Sequence, residues 1–215
     1  MPEPTAQTVS GLNLPNFLTV LRFLLVPLIL LALLSPGLGW QLLGTALFIL
    51  AALTDTFDGR IARRRRQVTQ FGKFADPLAD KLLTLTMFAI IVLHPAFASV
   101  RTWLAAWVVL IAVREIGITG LRIWALRKGS SVVTSLWGKV KTTAQLIAII
   151  ATLALLDFRV VAQHVPAVAS VYPGDAFAAV TVNLLVFVCM VLTVVSGILY
   201  LVHNRLEPRD AGEMP

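Results

Sequence analysis

Charge is scarce in this chain. Only 13% of its 215 residues are Asp, Glu, Lys or Arg, against roughly 25% in soluble domains, and its mean hydropathy is +0.85. That excludes a water-soluble globular domain; the chain reads as an integral membrane protein. Cysteine is almost absent. The single Cys189 excludes an intrachain disulfide and, lying in an apolar run, reads as a small buried residue. No internal repeat and no low-complexity tract is visible. No basic segment precedes the first apolar run and no small-residue cleavage site follows it, so the start does not read as a cleaved signal peptide. His94, His164 and His203 have no metal-ligand spacing and are read, like the tryptophans, as interfacial residues. The formal charge of +7 is assigned to basic membrane edges and an anionic substrate rather than to nucleic acid.

A membrane helix needs about 20 apolar residues, so the chain has room for about six spans and little else. We expect an all-α, six-helix membrane domain over residues 1–215, with cytoplasmic segments at 1–13 and 203–215. The apolar runs predict spans over 17–34, 40–54, 77–93, 102–121, 143–156 and 177–202, with turns at 35–37 and 171–175. Pro27 falls inside the first span, where proline is tolerated. Arg60, Arg63, Arg64, Arg65, Arg66 and Lys73 lie between the second and third spans, and Arg122, Arg127, Lys128, Lys139 and Lys141 between the fourth and fifth. The other connections hold only Arg101 and Arg159. The positive-inside rule makes the two basic connections cytoplasmic, with both termini on the same side.

Against this apolar background stand Asp55, Asp58, Asp76 and Asp80. A carboxylate at the centre of a bilayer costs about 2.5 kcal/mol or more, so a cluster needs cationic compensation. Asp55 and Asp58 are spaced i,i+3, and Asp76 and Asp80 i,i+4. On helices each pair shares a face. Four converging carboxylates suit one or two Mg²⁺ or Mn²⁺ ions, which take hard oxygen ligands and clamp phosphate oxygens during phosphoryl transfer. Gly59, Ala62 and Gly72 leave room for a base or pyrophosphate against the backbone, and Arg63 can pair with phosphate in bidentate fashion. The competing view, that the aspartates only cap helices or pair with nearby arginines, does not account for the complete spacing. Arg64, Arg65 and Arg66 read equally as a solvated topogenic run.

The pattern Asp55-x2-Asp58-Gly59-x2-Ala62-Arg63-x8-Gly72-x3-Asp76-x3-Asp80 resembles, without gap or substitution, the signature of the CDP-alcohol phosphatidyltransferase family. The resemblance implies six membrane helices, usually in a homodimer, and transfer of a phosphatidyl-type group from a CDP-linked lipid to an alcohol with release of CMP. It also implies metal at Asp55, Asp58, Asp76 and Asp80, with Asp80 as general base, and donor contacts from Gly59, Ala62, Arg63 and Gly72. Three further stretches are similar to one bacterial branch, in which CDP-diacylglycerol is the donor and glycerol-3-phosphate the acceptor, in the inner membrane. They are Leu14-Pro-Asn16-Phe-Leu-Thr19-Val-Leu-Arg22, Ala79-Asp80-Lys81-Leu82-Leu83, and Arg114-Glu115-Ile116 with Leu121-Arg122 and Gly138-Lys139-Val-Lys141-Thr142-Thr143-Ala-Gln145. Beyond Leu156 the chain offers little except apolarity.

Outside the signature, Asn16, Thr19 and Arg22 are spaced by three and share a helix face that can line the cavity; alternatively Arg22 snorkels to the headgroups. Arg114, Arg122, Lys139 and Lys141, with Glu115 and Gln145 beside them, form a candidate phosphate-binding patch for an anionic acceptor. Two competitors stand: a structural ion pair at Glu115, and purely topogenic lysines. Other acceptors (inositol phosphate, serine, phosphatidylglycerol) remain open. So does a cation or phosphate transporter, although transporters often carry repeats and none is seen here.

Overall fold

The computed structural model describes the backbone of residues 14–65, 70–127 and 136–205 and the side chains of 20–54, 78–79, 81–124 and 138–202. Among the described residues the regular structure is all helical. The helices are α1 (Leu14–Leu34), α2 (Leu38–Arg65), α3 (Gln70–Leu93), α4 (Arg101–Arg127), α5 (Leu136–His164), the single turn α6 (Pro166–Ala169) and α7 (Asp175–Arg205). A 3₁₀ segment, Pro95–Val100, precedes α4. Pro95–Trp124, Gly138–His164 and Asp175–Val202 are long and apolar enough to cross a membrane, and Val20–Leu34, Leu38–Thr54 and Lys81–Leu93 are shorter apolar helices.

The expected spans coincide with helices, but the helices outrun them. The second span, 40–54, was expected to continue as helix into the aspartate motif, and it does, unbroken to Arg65. The expected third span was to begin near Pro77, yet helix is already present from Gln70. The expected fifth span, 143–156, lies within a 29-residue helix that starts at Leu136. Apolar runs mark where a helix meets hydrocarbon; the backbone hydrogen bonds continue past that boundary into polar sequence. The 3₁₀ segment was not expected. There the His94 ring accepts a hydrogen bond from the Ala96 N–H at 3.2 Å, capping the turn.

The chain forms two compact units, Met1–Met87 and Phe88–Pro215. In the first, α1 packs along α2. The turn between them closes through Gly37, whose φ of +113° is readily adopted only by glycine. Farther along, the absent side chain of Gly44 lets α2 approach closely. A Cβ there would stand 2.6 Å from Leu33 Cγ and 3.2 Å from the Leu33 backbone nitrogen. Small residues permit such approach in membranes, where packing rather than water drives helix association.

In the second unit α7 is central, packing on both α4 and α5, while α6 folds back on α5 and the 3₁₀ segment rests on α7 and α4. Leu104, Ile111, Ile149, Leu153, Val182 and Val186 fill its interior. Trp107 is half-buried, its ring 5.1 Å from Phe187 and 5.9 Å from Trp103. Cys189 is buried as expected, with its thiol 3.4 Å from the Ala144 carbonyl. At the far end Arg159 meets Asp175 through two bonds of 2.8 and 3.0 Å, and the Tyr172 hydroxyl donates to the same carboxylate at 2.9 Å. Burial first, and then that bond, push the Tyr172 phenol up to about 12. This clasp joins the end of α5 to the start of α7.

Solvent polarity is inverted along these helices. Val113 and Ile116 are 66% and 63% exposed, while Glu115 between them is 2% exposed. Charge inside and hydrocarbon outside is the arrangement of a multi-pass membrane protein, since a lipid-facing carboxylate has no compensation. For α1 and α2, filling the gap at residue 44 tests the packing: Gly44→Ala is expected to cost about 1–3 kcal/mol through overpacking, read as a lower thermal midpoint in detergent, whereas the same change at Gly39, where nothing lies within 4 Å, is expected to leave the midpoint near wild type.

Candidate active site

The aspartates fall on two helices as their spacing required. Asp55 and Asp58 are in α2, Asp76 and Asp80 in α3. An unbroken helical backbone across each pair preserves the i,i+3 and i,i+4 registers, so the members of each pair share a helix face. Gly59, Ala62 and Arg63 follow on α2, and Gly72 precedes Asp76 on α3. The side chains of all these residues, and those of Asn16 and Thr19 on α1, lie outside the described residues. As a donor set, four carboxylates carried in register suit hard divalent cations. Arg22 is described. It is 2% exposed, so it turns into the protein and does not snorkel to the headgroups.

The second unit provides a described polar site. Glu115 of α4 is the collecting point. Its Oε1 accepts from Lys141 Nζ of α5, from Arg114 Nη1 at 3.3 Å and from Gln145 Nε2 of α5 at 3.4 Å. Lys141 and Gln145 are themselves buried. The i,i+4 spacing of 141 and 145 puts both on the α5 face that meets Glu115. Three positions of α7 complete the set. Gln145 Nε2 also donates to Thr193 Oγ1 at 3.1 Å, Arg114 Nη2 donates to Ser196 Oγ at 2.8 Å, and the Arg114 stem lies over Gly197.

The expected patch is thus partly assembled. Arg114 and Lys141 meet on one carboxylate. Arg122 lies two turns beyond Glu115 on α4, and its guanidinium stands 5.8 Å from the Tyr200 ring centroid, within cation–π range. Lys139 stands apart. It is exposed, whereas Lys141 two residues on is 6% exposed, because a two-residue step turns a helix by about 200°. Of the two ways Glu115 was read, the ion pair is present, and it is made with members of the patch itself.

The family model for CDP-alcohol phosphatidyltransferases matches residues 12–202. The chain belongs to this family. Among its relatives is the CDP-diacylglycerol–glycerol-3-phosphate 3-phosphatidyltransferase of Escherichia coli strain K12, 40% identical over 205 residues that make up 92% of this chain and 98% of that protein. The proteins of the same name from Haemophilus influenzae and Bacillus subtilis are 37% and 40% identical, over 64% and 66% of this chain and 73% and 76% of their own lengths.

Within this phosphatidyltransferase chain, sequence reasoning missed α7. Thr193, Ser196 and Gly197 look unremarkable in a run of apolar residues, yet at i, i+3 and i+4 they form one small, polar stripe. Such stripes mark helix contacts in membranes, and that signal could have found them. The charge pair offers a test of stability. Removing the carboxylate from a buried pair costs about 3–5 kcal/mol, so Glu115→Gln is expected to lower the thermal midpoint sharply. Adding Lys141→Met to that variant is expected to recover part of the loss. A wild-type midpoint for Glu115→Gln alone would show that the pair contributes nothing to the fold.

Proposed function

We propose that this chain transfers the phosphatidyl group of CDP-diacylglycerol to glycerol-3-phosphate, giving phosphatidylglycerophosphate and CMP. The observation that carries the acceptor is the charge imbalance around Glu115. Two cations, Arg114 and Lys141, meet on this one carboxylate among the described residues, and Arg122 follows two turns along the same helix. Arg122 also keeps a buried Nε without a hydrogen-bond partner. A site with surplus positive charge inside apolar helices is built for an anion, and glycerol-3-phosphate is a dianion near neutral pH. The names of the relatives agree with this acceptor.

In this reading Asp55, Asp58, Asp76 and Asp80 hold one or two Mg²⁺ or Mn²⁺ ions, which when bound neutralise the donor pyrophosphate and the leaving CMP. Gly59, Ala62 and Gly72 leave space for the nucleotide, and Arg63 pairs with phosphate. Arg114, Arg122 and Lys141 hold the acceptor phosphate, and Lys139, exposed on α5, contributes positive charge without joining them. The acceptor hydroxyl attacks the lipid-side phosphorus. Its proton passes to the Asp80 carboxylate, and the bond from that phosphorus to the CMP oxygen breaks with its electron pair going to CMP. Both residue sets adjoin connections rich in Lys and Arg, so the positive-inside rule supports a common cytoplasmic face in a six-span protein of the bacterial inner membrane. A homodimer accords with the family.

The test is CMP release from CDP-diacylglycerol with a panel of acceptors in detergent. Glycerol-3-phosphate is expected to be preferred to inositol phosphate, serine and phosphatidylglycerol; preference for inositol phosphate would overturn the acceptor and keep the chemistry. Charge-assisted bonds are worth roughly 1.5–3 kcal/mol each, so Arg114→Ala is expected to raise the KM for glycerol-3-phosphate about tenfold or more while that for CDP-diacylglycerol changes little. For the base, Asp80→Asn is expected to keep donor binding and lose about 10²–10⁴ in turnover; a value within about tenfold of wild type would remove Asp80 from that role.

A further inference from the structure

We infer that Ser196 and Gly197 of α7 are positioning residues for the acceptor, acting through Arg114; the inference rests on the reading of Arg114 as an acceptor-phosphate ligand. Arginine has a long, flexible side chain, and its value to a phosphate lies in the fixed plane of its fork. In this protein α4 supplies the residue but does not fix that plane. Glu115 is adjacent in sequence and reaches Nη1 only at 3.3 Å, whereas the bond from Nη2 to Ser196 Oγ is 2.8 Å. The Ser196 hydroxyl is itself oriented, since it donates to the Thr193 carbonyl at 3.0 Å. Its proton is therefore spent on α7 and its lone pairs face the guanidinium. A hydroxyl held in this way is an acceptor of set direction.

Gly197 provides the other half of the seat. A Cβ there would stand 2.8 Å from Arg114 Nε, 3.1 Å from Cγ and 3.5 Å from Cδ. The stem can lie along α7 only because residue 197 has no side chain. Arg114 Nε is buried there without a hydrogen-bond partner, so no bond at Nε sets the rotamer. The seat is set by the bare backbone of Gly197 on one side and the Ser196 hydroxyl at the tip. Thr193, one turn earlier, holds Gln145 through its hydroxyl at 3.1 Å, so one face of α7 serves both neighbouring helices. None of these three residues bears charge. Their effect on a phosphate passes through the cation they hold.

The experiment is a kinetic comparison of Ser196→Ala, Ser196→Thr, Gly197→Ala and Arg114→Ala, with Ser196→Ala/Arg114→Ala as the double variant, each in detergent with both substrates varied. Loss of one charge-assisted bond to a positioned arginine corresponds to about tenfold. Ser196→Ala and Gly197→Ala are therefore each expected to raise the KM for glycerol-3-phosphate about five- to tenfold, with that for CDP-diacylglycerol within about twofold. Ser196→Thr, which keeps the hydroxyl, is expected to restore most of the affinity. In the double variant the serine change is expected to add nothing to Arg114→Ala, because the two share one interaction. Equal loss of affinity for both substrates, or full additivity in the double variant, would overturn the inference. Should Ser196→Ala not fold, Gly197→Ala decides alone on the same split between substrates. If Arg114→Ala raises the acceptor KM but neither α7 change does, this inference fails and the acceptor reading stands. If Arg114→Ala itself leaves the acceptor KM unchanged, both fail.

Discussion

A carboxylate sealed between apolar helices keeps its charge only if cations and donors replace the water it has lost. At 2% exposure Glu115 is under that constraint, and the polar interior of the second unit follows from it. Lys141 and Arg114 supply the countercharge and Gln145 a further donor. Each of these must in turn be directed, and α7 does so for two of them through Thr193 and Ser196. Three helices packed largely through apolar side chains are thereby locked in one register at this level. Apolar surface alone would not do this, since lipid tails solvate leucine and valine as well as another helix does.

In the proposed reading, the same constraint lets one set of residues serve both structure and function. Among the described residues, Arg114 and Lys141 both bind the one Glu115 carboxylate. The ion pair holds both cations inward, where in the proposed reading they meet an anionic acceptor. Under that reading the site would select by charge first and by shape second, which accords with an enzyme that meets its lipid donor in the bilayer and its phosphorylated acceptor in water.

Some of this was legible in the residues. Aspartates at i,i+3 and i,i+4 on either side of a basic connection required helices at both places, and α2 and α3 run through both pairs. Length and apolarity marked helices at every expected span. The ends were less legible, because Leu136–Thr142 contains Gly138, Lys139 and Lys141 and local composition there gives no apolar signal, although the helix continues through it. Nor could composition separate Lys139 from Lys141. Both are lysines near a membrane edge; only the turn of α5 against Glu115 buries one and exposes the other.

The sequence by itself determined the family and the setting: an acidic signature that places the chain among the CDP-alcohol phosphatidyltransferases, and a shortage of charge that demands a membrane. These are properties of residue type and local spacing, which survive in a linear text. The tertiary structure alone decided which polar residues act together. Arg114 and Ser196 are 82 positions apart, and Lys141 and Glu115 are 26 apart. The sequence shows Ser196 and Gly197 only as part of a small-residue stripe; which side chain lies across them is not written there. Their meaning comes from the partner that packing lays across them, and packing is a long-range property of the whole unit.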